Sequence, residues 1–364
     1  MPPATAALIA LALNAIPFRP SDDAMPLGNV SSEAPQALQE LRALDDRNDA
    51  IAYARRMLDR AETTQDPAYA HYAFAALKPH RANGDAELRV VYATVLQRLH
   101  RFDDALAELD ALLKTPNAPA QAFFVRSVLR TLRADYTGAL RDCAALLGRV
   151  EPLAVAACAA LPRARSGHSD AAYSALVDML DTAPGIGPVG DFARGVAGEL
   201  AWRLGKPDAL HRLADAAETG KPVQVLNHAD ALLAIGKPNE ALQVLQKLPG
   251  DGADLRRARA QQALGDAHAD LRRSIESGIE ARALRNDTGH AREDAYYFAY
   301  IAHDGPRALR AAQINFAQQK EPIDAELLVD AARLAGDEAA LGPVRQWLET
   351  NAIVDVPLQR RLAR

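Results

Sequence analysis

The sequence predicts an all-α fold, a right-handed α-solenoid of antiparallel helix hairpins. Alanine is the best helix former, and it is concentrated in runs such as Ala73–Ala76 and Ala154–Ala160. Aromatic residues make up only 5% of the 364 residues, which argues against a compact β-rich core packed with aromatic rings. A helix–turn–helix pattern also recurs along the chain. We therefore expect paired helices from about residue 34 to residue 350, with essentially no strand.

The first 33 residues divide into two segments. Residues 1–16 contain the apolar stretch ATAALIALALNAI, which is shorter than the roughly 20 residues of a membrane-spanning helix. This stretch fits a signal peptide with a cut near Ala15, although no basic residue precedes it; the alternative is an apolar N-terminal helix. Residues 17–33 are rich in Pro, Gly and Ser and predict an irregular lead-in. Cleavage would place the protein in the periplasm or another exported location, and an uncleaved chain in the cytoplasm.

Two segments carry the repeat: HRFDDALAELDALL from His100 and ADYTGALRDCAALL from Ala134. They align without a gap, so that Phe102 matches Tyr136 and Ala105 matches Ala139, each pair 34 residues apart. Each segment has a turn, an aromatic residue, an alanine three residues later and apolar residues at helical spacing. A helical run precedes each segment. The repeating unit is therefore a helix pair, with these four residues at the packing positions. Residues 351–364 lie beyond the repeats and are predicted to form a C-terminal cap or tail.

This pattern of turn, aromatic residue and alanine resembles the tetratricopeptide repeat (TPR). Weaker copies of the turn and second helix occur around Ala50, Ala172 and Ala241, and the resemblance covers most of residues 34–350. One departure is Arg126, which occupies a repeat position that usually holds leucine. The resemblance implies stacked helix pairs with a concave groove that binds a protein or peptide partner and does not catalyse a reaction.

A second resemblance concerns the compartment. Residues 285–332 and the early PFRPSDD are similar to exported TPR proteins of proteobacteria. This similarity implies a non-catalytic scaffold of the cell envelope, with an integral-membrane protein as one candidate partner.

The chemistry of the sequence excludes several other functions. A net charge of −5 and a pI near 6.0 argue against a nucleic-acid partner, which usually selects a basic face. The chain has no phosphate-binding glycine loop and no HExxH, CxxC or GxSxG motif, so we predict no cofactor, no metal and no catalytic residue. The alternative is an accessory factor or enzyme whose metal or small-molecule site is assembled from dispersed residues.

One polar cluster is a candidate partner-binding site. It lies at the turn before the aromatic run that starts at Tyr296, and it could line a groove with a later polar group. The alternative is helix capping, since Asp287 could cap a helix and Glu293 would complement its N-terminal dipole. The candidate residues are Asp287, His290, Glu293, Asn315, Gln318 and Gln319.

Arg126 has a candidate partner in the repeat. Asp142 lies on the facing helix at a similar distance from the turn, so we predict a partly buried ion pair. The alternative is an arginine stem over apolar surface with its charged head in water.

The two cysteines test the compartment. Cys143 and Cys158 lie at equal distances from a turn that contains Gly148 and Pro152, and they are therefore neighbours across a helix hairpin. We predict a disulfide between them in an oxidising compartment. In the cytoplasm they would be two small buried thiols.

Overall fold

The computed structural model describes residues 34–44, 46–182, 187–266, 269–284 and 289–364. Within these ranges the chain is built from helices and contains no β-strand, so the predicted all-α fold is confirmed. The predicted signal peptide and lead-in, residues 1–16 and 17–33, lie outside the described residues. No helix in the described ranges combines the length and the apolar character that crossing a membrane requires.

We number the described helices in chain order. They are α1 (Ala34–Arg42), α2 (Arg47–Thr64), α3 (Ala68–Leu77), α4 (Ala86–Arg98), α5 (Phe102–Leu112), α6 (Ala120–Leu132), α7 (Tyr136–Ala144), α8 (Pro152–Arg163), α9 (Ser169–Thr182), α10 (Pro188–Arg203), α11 (Ala209–Ala217), α12 (Pro222–Ala234), α13 (Pro238–Leu245), α14 (Asp251–Ala263), α15 (Ala269–Leu284), α16 (Ala291–Tyr300), α17 (Gly305–Gln318), α18 (Pro322–Ala335), α19 (Gly342–Thr350) and α20 (Val356–Leu362).

Two kinds of contact build the solenoid. Each helix from α2 to α14, and each from α16 to α18, packs against the next one in the chain, and every second helix also contacts its counterpart in the neighbouring hairpin. These counterparts form a continuous row, which we call the inner row: α2, α4, α6, α8, α10, α12, α14, α16 and α18. The expected stack of helix hairpins is therefore present along the described chain.

A shared turn geometry closes most of the hairpins. A residue with a positive φ angle follows the helix, and the next amide donates back to a carbonyl five residues earlier, as in a Schellman motif. Asp135 N donates to Arg130 O over 2.8 Å, and Lys206 N donates to Ala201 O over 2.9 Å. His100 and Ala134 hold the positive-φ position in the two repeats recognised from sequence, whereas Gly205 and Gly236 hold it in later hairpins.

The repeat positions lie in the core. Ala105 and Ala139 are fully buried, and Phe102 and Tyr136 are buried beside them. The absence of a longer side chain at the two alanines allows the paired helices to approach closely.

One of the weaker copies, around Ala50, lies in the first helix of its hairpin and not in the second. The segment around Ala50 was predicted as a second helix, but it forms α2, which contacts α4 and belongs to the inner row. The apolar spacing of α2 is that of any amphipathic helix, and it does not distinguish the two helices of a hairpin.

The solenoid coils tightly enough for distant hairpins to meet. Lys221 Nζ lies 3.1 Å from Glu62 Oε1, 159 residues away, and Arg133 donates to the Gln318 carbonyl over 2.7 Å. The C-terminal segment 351–364, expected to be a cap or tail, contains α20, which packs against α10 and α18. Leu358 anchors α20 with a fully buried side chain.

Candidate functional site

The predicted ion pair between Arg126 and Asp142 is confirmed. Arg126 Nε and Nη2 donate to the two carboxylate oxygens of Asp142 over 2.9 and 2.6 Å. Asp142 also accepts from Arg130 over 3.0 Å, and Arg126 also donates to Asp110 over 2.7 Å. Burial lowers the pKa of Arg126, but the hydrogen bonds to Asp142 and Asp110 outweigh it and raise the pKa. The arginine at a normally apolar repeat position is thus held by carboxylates on the two flanking second helices.

The two cysteines face each other across the α7–α8 turn. The structure joins Cys143 and Cys158 by a disulfide, with the Cα atoms 5.7 Å apart. This separation lies within the roughly 7 Å that a disulfide permits.

Two of the candidate partner-binding residues are engaged inside the chain. Asn315 Nδ2 donates to Asp324 Oδ1 over 2.6 Å, and Gln319 Nε2 donates to Asn315 Oδ1 over 2.8 Å. Asn315 and Gln319 are both buried. They therefore do not line an open groove, because the Asn315 amide satisfies a buried carboxylate and the Gln319 amide satisfies Asn315.

The other candidate residues are divided between different surroundings. Asp287 lies outside the described residues. His290 and Glu293 are half-buried neighbours: burial raises the pKa of Glu293, but the charges of His290 and Arg292 outweigh it and lower the pKa. Gln318 uses its backbone carbonyl to bind Arg133. The structure thus does not bring the described members of the cluster together on one exposed surface.

A charged network connects helices of the inner row in the C-terminal half. Arg292 on α16 makes a two-pronged contact with Asp324 on α18, with distances of 2.7 and 2.9 Å, and also contacts Glu321. Asp324 is completely buried, and this burial raises its pKa even though Arg292 opposes the shift. No local sequence pattern indicates these pairings, because the partners are about 30 residues apart.

The same network links hairpins that are far apart in sequence. Arg203 on α10 donates to Glu326 on α18, and Arg361 on α20 donates to Glu326 and Asp330 over 2.9 Å each. Nearby, Arg165 donates to Glu199 over 2.9 Å. These ion pairs therefore tie together helices from distant hairpins.

Arg259 differs from the other arginines of this region. Its guanidinium carbon lies 4.0 Å from the centre of the Tyr300 ring, and Nη1 donates to the Tyr296 hydroxyl over 3.1 Å. Asp230, a carboxylate whose charge raises the pKa of Arg259, is bound by Arg256 over 2.9 and 2.5 Å. Among the described residues Arg259 therefore has aromatic partners and no salt bridge.

Arg259 lies at a surface cleft that we call the C-terminal cleft. The cleft has a volume of about 400 Å³ and is bordered by the α10–α11 turn, the end of α12, and α20. Its apolar wall includes Trp202, Leu210, Leu233, Ile235 and Val356. Of the described residues that line it, five are cationic and none is acidic: Lys206, Arg259, Arg360, Arg361 and Arg364.

Metal-binding groups are not gathered in the described part of the chain. No group of three or more His, Cys, Asp or Glu side chains there is placed to hold a metal ion.

No known protein family and no curated protein matches the sequence. Solved structures are similar at low identity. A tetratricopeptide repeat protein from Parabacteroides merdae is 13% identical, with a TM-score of 0.40, over 69% of this chain and 97% of the other. The Rap protein complexed with competence and sporulation factor is 12% identical, with a TM-score of 0.47, over 90% of this chain and 99% of the other. The APC/C hetero-tetramer Cut9–Hcn1 is 15% identical, with a TM-score of 0.40, over 90% of this chain and 70% of the other.

Proposed function

We propose that this protein is a non-catalytic scaffold of the cell envelope that binds a protein or peptide partner. One observation carries the proposal: all eight buried charged side chains of the described residues form ion pairs. An active site usually places a nucleophile, acid or base with a strongly shifted pKa in a cleft, where it can reach a substrate. Here the buried charges instead connect helices, and the charges that remain available lie at the surface.

The pairing of the buried charges also separates the scaffold from the alternative function. A dispersed metal or small-molecule site would use buried carboxylates such as Asp324 or Glu326 as ligands. Arg292 occupies the first, and Arg203 and Arg361 occupy the second. The energy of breaking such a pair makes these carboxylates poor ligands.

The envelope location is supported by two features of the chain. The apolar stretch of residues 4–16 fits an export signal, and the Cys143–Cys158 bond is of the kind that persists in oxidising compartments. The resemblance of residues 285–332 to exported repeat proteins agrees with both. An integral-membrane protein remains one candidate partner.

Photo-crosslinking in the native cells tests the scaffold function. A photoreactive amino acid would replace one of the exposed apolar residues Leu147, Val223 or Ile314, whose side chains extend from different hairpins. We expect a discrete protein adduct from at least one position, dependent on light, with the adduct identified by mass spectrometry. The absence of an adduct at all three positions, together with a stoichiometric metal in the purified protein, would favour the alternative.

The envelope location has its own test. The N-terminus of the protein from native cells can be read by mass spectrometry after cell fractionation. We expect it to start near residue 16 and to be recovered in the envelope fraction. An intact Met1 in the cytosolic fraction would contradict this part of the proposal.

A further inference from the structure

The C-terminal cleft concentrates positive charge on a chain whose net charge is −5. Two of its five cations are neutralised by carboxylates outside the lining. Lys206 Nζ lies 2.6 Å from Asp170, and Arg361 pairs with Glu326 and Asp330. Arg259 and Arg360 form no salt bridge within the described residues, and Arg360 is exposed. The cleft therefore retains unbalanced positive charge beside its apolar wall.

The guanidinium of Arg259 is held in a fixed position by two tyrosines. The Tyr300 ring and the Tyr296 hydroxyl fix its guanidinium; Tyr296 is itself buried, and the Tyr300 hydroxyl donates to Asp330 over 2.7 Å. It cannot relax onto Asp230, since Arg256 already binds both oxygens of that carboxylate. A charged donor with little conformational freedom to lose binds an anion at a low entropic cost.

The apolar wall restricts the class of anion. Trp202 and Leu233 border the cleft, and Ile235 is 43% exposed beside them. An inorganic anion would leave this surface in water, whereas an acidic peptide would cover it with an apolar side chain. The volume of about 400 Å³ lies at the lower end of the range for ligand pockets, which suits a short segment of chain.

We propose that the C-terminal cleft binds an acidic segment of the partner, with its carboxylates on Arg259 and Arg360 and an apolar side chain against Trp202 and Leu233. This inference rests on the proposed scaffold function and adds the chemistry of the recognised segment. Arginine suits the task because its planar guanidinium donates two parallel hydrogen bonds to a carboxylate.

Peptide selection on the purified full-length protein tests the inference. One library alternates Glu or Asp with Leu, Ile, Val or Phe, and a matched library replaces Glu and Asp with Gln and Asn. We expect saturable binding of acidic members, weakened by added salt, and no enrichment from the amide library. Equal enrichment from the two libraries, or none from either, overturns the inference.

Variants of exposed arginines locate the binding. For the best acidic peptide, we expect Arg360→Gln to weaken binding about tenfold and Arg360→Glu to weaken it further. Arg310→Glu is the matched control, because Arg310 is an exposed arginine on α17 outside the cleft, and it should leave affinity unchanged. Equal losses for Arg360→Glu and Arg310→Glu would show general attraction and overturn the site. Displacement of the peptide by inorganic phosphate alone would likewise overturn the peptide assignment.

The cross-linking experiment distinguishes the two proposals. A partner adduct that persists in the Arg360→Glu protein retains the scaffold function and overturns the acidic-segment inference. Loss of the adduct in this variant but not in Arg310→Glu supports both. No adduct in the unaltered protein contradicts the scaffold function, whatever the peptides do.

Discussion

Trp347 Nε1 donates a hydrogen bond to the hydroxyl of Tyr136 over 2.9 Å, across 211 residues of sequence. Both side chains are buried, and Phe316 packs edge-on against the indole with ring centres 5.8 Å apart. Tyr136 is the aromatic residue of a repeat turn, and burial raises the pKa of its hydroxyl. One repeat position thus packs its own hairpin and also fastens the C-terminal hairpin to the middle of the chain.

Removing this hydroxyl should destabilise the protein. Tyr136→Phe leaves the buried indole N–H of Trp347 without an acceptor, and we expect a loss of about 1–2 kcal/mol in the free energy of unfolding. Urea denaturation monitored by tryptophan fluorescence measures it. Tyr72→Phe is the control, because the half-buried Tyr72 hydroxyl makes no hydrogen bond among the described residues. Equal stability changes in the two variants would mean that the bond contributes nothing.

Enlarging the small repeat position should also be costly. Ala139→Leu adds a branched side chain where the helices leave no exposed surface, and we expect overpacking to cost about 1–3 kcal/mol. Ala144→Leu is the matched control, since Ala144 lies on the same helix and is exposed. Thermal unfolding of both variants gives the comparison. Unchanged stability of Ala139→Leu would argue against close packing at this position.

Local patterns explain why the hairpins could be predicted. The pairing of Phe102 with Tyr136 and of Ala105 with Ala139 reflects contacts within about one repeat, which leave a periodic signal in the sequence. The Arg126–Asp142 pair was accessible for the same reason, because its two residues are 16 positions apart on facing helices.

The C-terminal cleft and the charged network could not be predicted in this way. Arg203 meets Glu326 across 123 residues, a distance set by the coiling of the solenoid and not by any one hairpin. A signal was nevertheless present: Glu326 and Asp330 interrupt the apolar face of PIDAELLVDAA, and a carboxylate in such a run needs a cation. Asn315 and Gln319 were expected to line a groove, but the structure buries both side chains. Polarity alone does not distinguish a surface residue from a member of a buried polar network.

The disulfide should contribute measurably to stability. Cys143 and Cys158 close a loop across a sequence separation of 15, for which loop entropy gives a contribution of roughly 3 kcal/mol. We expect the double variant Cys143→Ala, Cys158→Ala to unfold at a lower urea concentration than the oxidised protein. The reductant-treated native chain is the control and should match the variant. Non-reducing mass spectrometry of protein from native cells shows whether the bond forms there, and two free thiols would contradict it.

The ion pairs of Glu326 predict a pH dependence. Burial raises the pKa of Glu326, but Arg203 and Arg361 outweigh it and lower the pKa below 4.5. The unfolded chain therefore takes up a proton first as the pH falls, so this contribution is fully present above about pH 4.5 and is lost in acid. We expect Glu326→Gln to cost about 3 kcal/mol near neutral pH, because it removes one carboxylate partner from each of Arg203 and Arg361.

The difference in the free energy of unfolding between the unaltered protein and Glu326→Gln should narrow as the pH falls below about 4.5. Denaturation curves at a series of pH values measure it, and the comparison cancels the contributions of carboxylates that lie away from Glu326 and its two arginines. Glu338→Gln is the control, because Glu338 is 70% exposed, and its gap should stay near zero throughout. A gap for Glu326→Gln that widens in acid would contradict the assigned charge state.

The tight coiling changes how this repeat protein should unfold. In an open array each hairpin depends only on its neighbours, so unfolding begins at the ends and spreads by steps. Here Lys221 reaches Glu62 and Trp347 reaches Tyr136, so that the outer hairpins depend on the central ones. Contacts between residues so far apart in sequence also slow folding, because long loops must close before these contacts form. We therefore expect this chain to combine the architecture of a repeat array with the cooperative unfolding of a globular domain.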